Sequence, residues 1–408
     1  MKNQFNDFTW EKMLNLFPVR NYNLAEYFKI LSPDFPDFLT KYLELPVMQR
    51  LKGIGLLCGT DWTALYKNRF YYSRFDHSLG VALIVWHFTH DKAQTIAGLL
   101  HDISTPVFSH VSDFRKGDAL TQTATEEPTS RIIRGDAELG LLLAEDGLTA
   151  AQVEDYHFYP IADNEIPQLS ADRLEYMFPS GMALDGSWAM EEIRRCYNDL
   201  TILKNEEGRD ELGFRSLEVA ELYCEHFCMI GHILQLNENK LTLQLLGQIM
   251  NMAEKAGLLS ESDFMTLSER EVIERLDDYT KHDSQAELGR HAELVSASIT
   301  SSEQRFRNKF GMTSEDDKFC RYYKTFRTMT KIEHTNEALP ENEYFCVNLK
   351  VKQRYINPLV VAQNSAVVST DSTNVKSVRL SDISEKARRI IEDFKSYSDT
   401  PYGCVKLL

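Results

Sequence analysis

Apolar residues recur at helical spacing over most of the chain. From Thr9 to about Gln285, stretches such as HSLGVALIVWHF, AQTIAGLLHDI and LTLQLLGQIMNMAEKAGLL each place an apolar stripe at the 3.6-residue period of an α-helix. The pattern predicts a body that is entirely helical.

Strand-like alternation begins only near the C-terminus, in the segments EYFCVNLKVKQRYINPLVV and NSAVVSTDSTNVKSVRL, and the amphipathic stretch DISEKARRIIEDF follows them. Before these strands, residues 286–315 are rich in Ser, Thr and charge and carry little periodicity, which is typical of an insertion or mobile loop. The predicted fold class is therefore mainly α, a helical bundle with a small C-terminal α+β appendage. The predicted divisions are an N-terminal helical segment at 1–45, the helical body at 46–285, an insertion with a flanking helix at 286–340 and the α+β module at 341–408.

Composition and charge exclude several classes of function. The 408 residues include 61 Asp and Glu against 45 Lys and Arg, which gives a formal net charge of −16. Because a negative field repels nucleic acid and anionic membranes, a general nucleic-acid binder is disfavoured. No apolar run approaches the roughly 20 residues that cross a bilayer, and the first residues lack the basic-then-apolar layout of a secretory signal. We expect a cytoplasmic protein that does not enter the membrane.

The cysteines are scattered along the chain. There are seven of them, an odd number, and none is arranged as CxxC. This usage indicates neither a disulfide framework nor a zinc ribbon. The sequence predicts reduced and mostly buried thiols.

The candidate metal-binding residues are His77 in RFDHSLGV, the adjacent His101 and Asp102 in AGLLHDIS, and Asp172 in QLSADRLEYMF. A lone His-Asp pair is weak evidence, since a histidine on an apolar helix is more often a core residue. Asp102, however, follows the apolar run IAGLL, where an unpartnered ionised carboxylate would cost several kcal/mol. Imidazole and carboxylate together suit a divalent ion such as Mn, Fe, Ni, Zn or Mg. The sequence therefore predicts a divalent-metal site that favours hydrolysis.

These motifs, together with MQRLKGIGLL and more faintly KVKQRYINPLV, resemble the HD superfamily of metal-dependent phosphohydrolases, and within it the deoxynucleoside triphosphate triphosphohydrolase branch. The resemblance implies an HD-domain helical bundle. It also implies that the metal ligands are His77, His101, Asp102 and Asp172.

Substrate contacts follow from the same resemblance. Arg74 matches a phosphate-contacting arginine of the family, although a surface arginine in an ion pair is the alternative interpretation. Arg173 and Tyr176 lie where the family has a basic residue and a tyrosine near the polyphosphate and sugar. Arg215 and Tyr223 resemble a further pair, for which an ordinary amphipathic helix is an equally good explanation.

The acid–base residues are the part where this chain departs from the family. His110 and Asp113 match a histidine and an aspartate beside the scissile phosphate, and we expect His110 to be the general acid and Glu126 to belong to the catalytic set. Thr105 and Thr125 stand where the family has histidines. Threonine cannot transfer protons efficiently near neutral pH, because catalysis needs groups whose pKa can be tuned to that range.

Two hypotheses for function remain. The first is a metal-dependent phosphohydrolase that acts on a nucleotide, with a deoxynucleoside triphosphate as one candidate, or on a similar phosphoester. The alternative is a catalytically degenerate relative that binds metal and nucleotide as a sensor or regulatory module. Self-association into a homo-oligomer is a further expectation from the resemblance.

Overall fold

The computed structural model of the protein describes residues 22–120, 127–281, 314–362 and 376–408. Within these ranges the chain is mainly helical with a few strands toward the C-terminus, which confirms the predicted fold class. The helices of the body are α1 (Leu24–Leu31), α2 (Leu39–Leu43), α3 (Pro46–Arg50), α4 (Arg74–Thr89), α5 (Lys92–Leu100), α6 (Val111–Arg115), α7 (Glu127–Gly135), α8 (Ala137–Glu145), α9 (Ala171–Leu184), α10 (Met190–Asp199), α11 (Leu217–Gln235), α12 (Asn237–Lys255), α13 (Glu261–Thr266) and α14 (269–281).

The remaining helices are α15 (Ser314–Thr328), α16 (Leu380–Ile383) and α17 (Glu385–Ser396). The strands are β1 (Leu200–Lys204), β2 (Asp210–Phe214), β3 (Glu333–Thr335), β4 (Tyr344–Val347), β5 (Leu359–Val361), β6 (Ser377–Arg379) and β7 (Tyr402–Lys406). Among the described residues, no helix combines the length and the apolar character that crossing a bilayer would require.

Helix α4 is the centre of the body. It begins with a capping box in which Ser73 Oγ accepts from the backbone N–H of Asp76 at 3.1 Å and the Asp76 carboxylate accepts from the N–H of Ser73 at 3.1 Å. Its residues from Ser78 to Val85 are all buried, and they contribute to both apolar clusters of the protein. Because a helix that is apolar all round lies inside a protein, the first turn of α4, with Arg74 and His77, is held in the interior.

Helix α9 places the Glu175 side chain directly against Gly80 of α4. A Cβ atom placed on Gly80 of α4 would lie 2.4 Å from Glu175 Oε1 of α9. Glycine inside a helix costs roughly 1 kcal/mol relative to alanine, so its presence at this position is explained by the space that Glu175 needs.

Two small sheets complete the fold. One has the strand order β1-β2-β5-β6, in which β2 and β5 are parallel and the other pairs are antiparallel; the other is antiparallel with the order β3-β7-β4. The strands β4, β5 and β6 and the helix α17 occur where the C-terminal patterning predicts them.

The prediction of an entirely helical body is wrong at residues 200–214. There the sequence TILKNEEGRDELGF forms the antiparallel hairpin β1–β2, with a turn in which Gly208 has φ of 76°. Each strand is only five residues long, so the helical patterning around the hairpin dominates the sequence signal. Because β2 pairs with β5, the C-terminal strands join the sheet of the body.

The expectation of reduced cysteines is wrong for one pair. Cys346 on β4 and Cys404 on β7 stand directly opposite each other in the antiparallel ladder and form a disulfide. Strand pairing brings them together across 58 residues of sequence, which cysteine spacing alone does not indicate. The cysteines at positions 58, 196, 224, 228 and 320 take part in no disulfide among the described residues.

Candidate metal centre

Three helix ends meet at one point in the interior. His77 lies in the first turn of α4 and is 1% exposed, His101 and Asp102 directly follow α5, and Asp172 is the second residue of α9. Ligand atoms of His77, His101 and Asp102 all lie within 4.8 Å of one another. The structure thus brings together the four residues that the resemblance names as metal ligands.

The spacing of these atoms matches ligands that share one ion. His77 Nε2 lies 3.2 Å from His101 Nε2 and 3.1 Å from Asp172 Oδ1. Asp102 Oδ2 is 3.8 Å from His77 Nε2 and 3.6 Å from His101 Nε2. Atoms bound about 2.1 Å from a divalent ion are about 3.0 Å apart in octahedral coordination and about 3.4 Å apart in tetrahedral coordination. The donor set therefore fits a single divalent ion.

Both imidazole rings are held so that their Nε2 atoms face this point. His77 Nδ1 contacts Glu175 Oε2 at 2.5 Å, and His101 Nδ1 contacts the carbonyl oxygen of Gly98 at 2.8 Å. A histidine that donates its Nδ1 proton to an oxygen presents the lone pair of Nε2 to a metal. The orientation is thus the one that metal binding requires.

Glu175 is a functional residue that the sequence analysis missed. It is completely buried, and its Oε1 accepts hydrogen bonds from Tyr27 at 3.0 Å and from Tyr72 at 2.6 Å. Glu175 follows Asp172 by three residues in ADRLEY, a spacing that places both on one side of α9. That spacing is the signal that could have identified it.

The charges of the site are arranged to receive a cation. Burial alone would lower the pKa of His77, but its hydrogen bonds to the carboxylates of Asp172 and Glu175 outweigh burial and raise that pKa to about 10. Without an ion, His77 is therefore protonated on both nitrogens, and an ion would take the place of the Nε2 proton. Burial would raise the pKa of Asp102, yet the charges of Arg74, His101 and His77 hold it well below the ordinary range. The hydrogen bond from His77 similarly lowers the pKa of Asp172 against the effect of burial. Both aspartates are therefore ionised at neutral pH.

A cavity of about 560 Å³ opens over the four predicted metal ligands. This volume lies within the range of small-molecule sites in proteins, roughly 300–1,000 Å³. The predicted site residues that line it are Arg74, His77, His101, Asp102, His110, Asp172, Arg173 and Tyr176.

Arg74 is a buried cation of this cavity. Its Nη1 donates to Asp102 Oδ2 at 2.8 Å, and its Nε donates to Ser109 Oγ at 3.1 Å. Thr105, which stands in place of a family histidine, donates its hydroxyl proton to Asp102 Oδ1 at 2.9 Å. Arg74 is therefore ion-paired, as the alternative interpretation holds, but its partner Asp102 is a predicted metal ligand that also lines the cavity. Thr105 positions that same ligand.

His110 and Asp113 form a hydrogen-bonded pair. His110 Nδ1 lies 3.0 Å from Asp113 Oδ2, and Asp113 is completely buried. Burial lowers the pKa of His110; the hydrogen bond to Asp113 opposes this effect, while the charges of Arg354 and Arg74 add to it. In the ligand-free protein His110 is therefore neutral, with Nε2 as a proton acceptor. To serve as a general acid, His110 must first take up a proton.

The other two predicted substrate residues near the cavity, Arg173 and Tyr176, differ in their hydrogen bonds. Arg173 donates to Asp163 at 2.6 Å and to the carbonyl groups of Gln168 and Asn164, so its guanidinium holds the 163–168 loop. The Tyr176 hydroxyl lines the cavity, is buried and has no hydrogen-bond partner among the described residues.

Arg215 and Tyr223 do not line the cavity. Arg215 donates to the carbonyl oxygens of Asn198 and Leu200, and the buried Tyr223 hydroxyl faces the carbonyl oxygen of Leu174 at 3.4 Å. Glu126 and Thr125 lie outside the described residues.

A second group of metal-binding residue types is found at Glu238, His334 and Asp399. The His334 ring lies between the two carboxylates, with Nε2 at 3.0 Å from Glu238 and Nδ1 at 3.3 Å from Asp399. Hydrogen bonds to Asp399 and Glu238 raise the pKa of His334 to about 10. This group has a single imidazole, whose two nitrogens face the two carboxylates, whereas the first group has two imidazoles whose Nε2 atoms face each other.

Comparisons with known proteins agree with this chemistry in general terms. The chain is 28% identical over 162 residues to the metal-dependent phosphohydrolase cns2 of Cordyceps militaris, a match that covers 40% of this chain and 45% of that protein. It is 29% identical over 147 residues to the uncharacterized protein YdhJ of Bacillus subtilis, with coverage of 34% and 41%. The chain thus spans less than half the length of these curated relatives. No family model matches the chain.

Solved structures share the fold at low sequence identity. A phosphohydrolase from Bacteroides thetaiotaomicron is similar with a TM-score of 0.53 and 13% identity, covering 92% of this chain and 97% of its own. A hypothetical protein from Aquifex aeolicus is similar with a TM-score of 0.55 and 15% identity, covering 91% and 93%. In both comparisons the similarity extends over more than nine-tenths of each chain.

Proposed function

We propose that this protein is a divalent-metal-dependent phosphohydrolase of the HD type, with a nucleotide as the expected substrate class. The observation that carries the proposal is the convergence of His77, His101, Asp102 and Asp172 beneath a cavity of about 560 Å³. The partial sequence similarity to a protein named metal-dependent phosphohydrolase supports it.

The four ligands would hold one divalent ion, and Mn, Fe, Ni, Zn and Mg are all compatible with imidazole and carboxylate donors. Such an ion supplies Lewis acidity, lowering the pKa of water and offsetting the charge of a phosphate. The role of the protein around it is to fix the ligands. Glu175 and Gly98 orient the imidazoles, and Arg74 and Thr105 hold Asp102.

The chain's own residues provide the remaining functions. Arg74 has N–H groups beyond those donated to Asp102 and Ser109, and these can bind a phosphate oxygen. The unpartnered hydroxyl of Tyr176 can donate to a further oxygen of the ligand. His110, held by Asp113, can take up a proton at Nε2 together with an anionic substrate and give it to the leaving oxygen.

The second candidate function is a sensor that binds metal and nucleotide without turnover. One observation favours it: Thr105, which stands in place of a family histidine, cannot transfer a proton near neutral pH and only holds a metal ligand.

The test is hydrolysis by the purified full chain. Protein supplied with Mn²⁺ or Mg²⁺ is incubated with nucleotides and phosphomonoesters, and released phosphate, pyrophosphate and triphosphate are separated and quantified. Intact triphosphate would assign the triphosphohydrolase activity, and orthophosphate from monophosphates would assign a phosphatase. Absence of turnover together with saturable nucleotide binding would overturn the enzyme proposal in favour of the sensor.

A matched pair of variants makes this test specific to the site. Asp102→Asn removes a metal ligand while keeping the side-chain shape, and it should abolish turnover. Glu191→Gln makes the same type of change at a side chain that is 87% exposed on α10, and it should leave turnover unchanged.

A further inference from the structure

The C-terminal segment contributes a wall to the cavity. Between β4 and β5, the residues Val351, Lys352 and Arg354 line the same space as the metal ligands. These residues lie within KVKQRYINPLV, which the sequence analysis noted without assigning a function. The wall therefore comes from a part of the chain more than 150 residues beyond Asp172.

The backbone of this wall is fixed to the helical body. The carbonyl oxygen of Lys352 accepts from Gln235 Nε2 of α11 at 3.1 Å, and its N–H donates to the carbonyl oxygen of Ala119 at 3.4 Å. The wall also lies close to Gly231 of α11, where an added Cβ would be 3.2 Å from the carbonyl oxygen of Arg354. The backbone is therefore held in place, and only the side chains of Lys352 and Arg354 can adjust to a ligand.

The cations of this wall differ from the other cations of the cavity. Arg74 is paired with Asp102, Arg173 with Asp163, and Arg209 with its neighbour Glu207. This list covers the arginines of the helical body that line the cavity. By contrast, the side chains of Lys352 and Arg354, both half-buried, have no hydrogen bond or ion pair to any of the described residues.

The charge of Arg354 acts on the residues proposed for the chemistry. Burial raises the pKa of Tyr176, and the charge of Arg354 opposes this effect. Burial lowers the pKa of His110, and the charge of Arg354 lowers it further. Both residues line the same cavity as Arg354. A group bound at Arg354 would thus share one cavity with His110 and with the predicted metal ligands.

Positive charge that is partly withdrawn from water and has no counterion favours an anionic ligand. We propose that Lys352 and Arg354 form a second anion-binding position, which takes a phosphate group of the substrate other than the one that is cleaved. The substrate class is then an oligophosphate ester, such as a nucleoside di- or triphosphate, and not a monophosphate. This inference rests on the proposed function, because it assigns the scissile phosphate to the metal centre.

Binding can be measured without any turnover. Titration calorimetry of the full chain in EDTA uses inorganic tripolyphosphate and inorganic orthophosphate as the two probes. Wild-type protein should bind tripolyphosphate more tightly than orthophosphate. Lys352→Ala and Arg354→Ala should each weaken tripolyphosphate binding by about tenfold to a hundredfold, which corresponds to the loss of a charged hydrogen bond.

The matched control is Lys350→Ala, which removes the same charge from the same segment at an exposed position outside the cavity. It should leave tripolyphosphate binding unchanged. Circular dichroism and the melting temperature of each variant show whether it is folded. Arg354→Lys, which keeps the charge, should bind tripolyphosphate with an affinity between those of wild type and Arg354→Ala. Wild-type affinity in folded Lys352→Ala and Arg354→Ala variants would overturn the proposal.

Kinetics separate this inference from the proposed function. If both hold, Arg354→Ala raises KM for a nucleoside triphosphate about tenfold or more, while the control Lys350→Ala leaves KM and kcat unchanged. If the enzyme proposal fails, wild-type protein does not turn over the nucleoside triphosphate, yet the difference in tripolyphosphate binding persists. If only this inference fails, turnover is present and Arg354→Ala leaves KM unchanged.

Discussion

Replacing Glu175 by glutamine tests whether a buried carboxylate that touches no substrate controls the metal centre. Glu175 is completely buried and contacts His77 Nδ1 at 2.5 Å through one oxygen. Its other oxygen accepts from the hydroxyl groups of Tyr27 and Tyr72. Glu175→Gln keeps the shape of the side chain but removes its negative charge and replaces one accepting oxygen by a donating amide.

The expected effect on metal affinity follows from the role of such partners. Loss of the residue that orients a metal-bound histidine typically costs 10- to 100-fold in affinity, about 1.4–2.8 kcal/mol. The metal-free protein should also lose stability, since removing one partner from a buried ion pair costs roughly 3–5 kcal/mol. Glu175→Gln is therefore expected to bind Mn²⁺ about 10- to 100-fold more weakly and to melt at a lower temperature.

The assay is titration calorimetry of Mn²⁺ into EDTA-stripped and dialysed protein, with melting curves recorded with and without the ion. The exposed Glu191→Gln variant controls for the chemical change and should bind like wild type. A folded Glu175→Gln variant with wild-type affinity for Mn²⁺ would refute the reasoning, because His77 would then need no carboxylate behind it.

Three further predictions address neighbouring features. Gly80→Ala should lower both the melting temperature and the affinity for Mn²⁺, because the added Cβ would lie 2.4 Å from Glu175 Oε1. Helix propensity alone predicts the opposite, since alanine is the better helix former by about 1 kcal/mol, so a raised melting temperature would contradict this prediction. His110→Gln should lower kcat by about 10²- to 10⁴-fold in a steady-state assay while metal content measured by mass spectrometry is unchanged, and an unaltered kcat would remove His110 from the mechanism. His334→Gln should cost about 1 kcal/mol at pH 6. Because the folded pKa of His334, about 10, lies above its ordinary value of 6.5, the stabilisation is complete below pH 6.5 and lost as the pH rises through 10. Urea unfolding at pH 6 and pH 10.5 checks this last prediction, and a difference between variant and wild type that is independent of pH would contradict it.

The helical body and the cluster of candidate metal ligands could be predicted from the sequence because their signals are local. The segment HSLGVALIVWHF is apolar on every side of a helix, and α4 is indeed buried on every side. Asp102 directly follows an apolar run, so a charge at that position needs a compensating partner wherever the helix packs. The structure supplies that partner as Arg74, together with the imidazoles of His77 and His101.

The features that the sequence does not reveal depend on contacts between distant segments. Cys346 and Cys404 meet only because β4 and β7 pair in one register. The environment of Glu175 is set by Tyr27 and Tyr72, which are 148 and 103 residues away along the chain. Long-range packing of this kind leaves no periodic pattern, so only the folded chain shows it.

The central claim is that four side chains from three helix ends hold one divalent ion. The most direct test is the metal content of protein reconstituted with Mn²⁺ and dialysed, measured by inductively coupled plasma mass spectrometry. The account predicts one ion per chain in the wild type and in His334→Ala/Asp399→Ala, and close to none in a folded His101→Ala/Asp102→Ala variant. An ion retained in the folded His101→Ala/Asp102→Ala variant, or lost only from His334→Ala/Asp399→Ala, would contradict it.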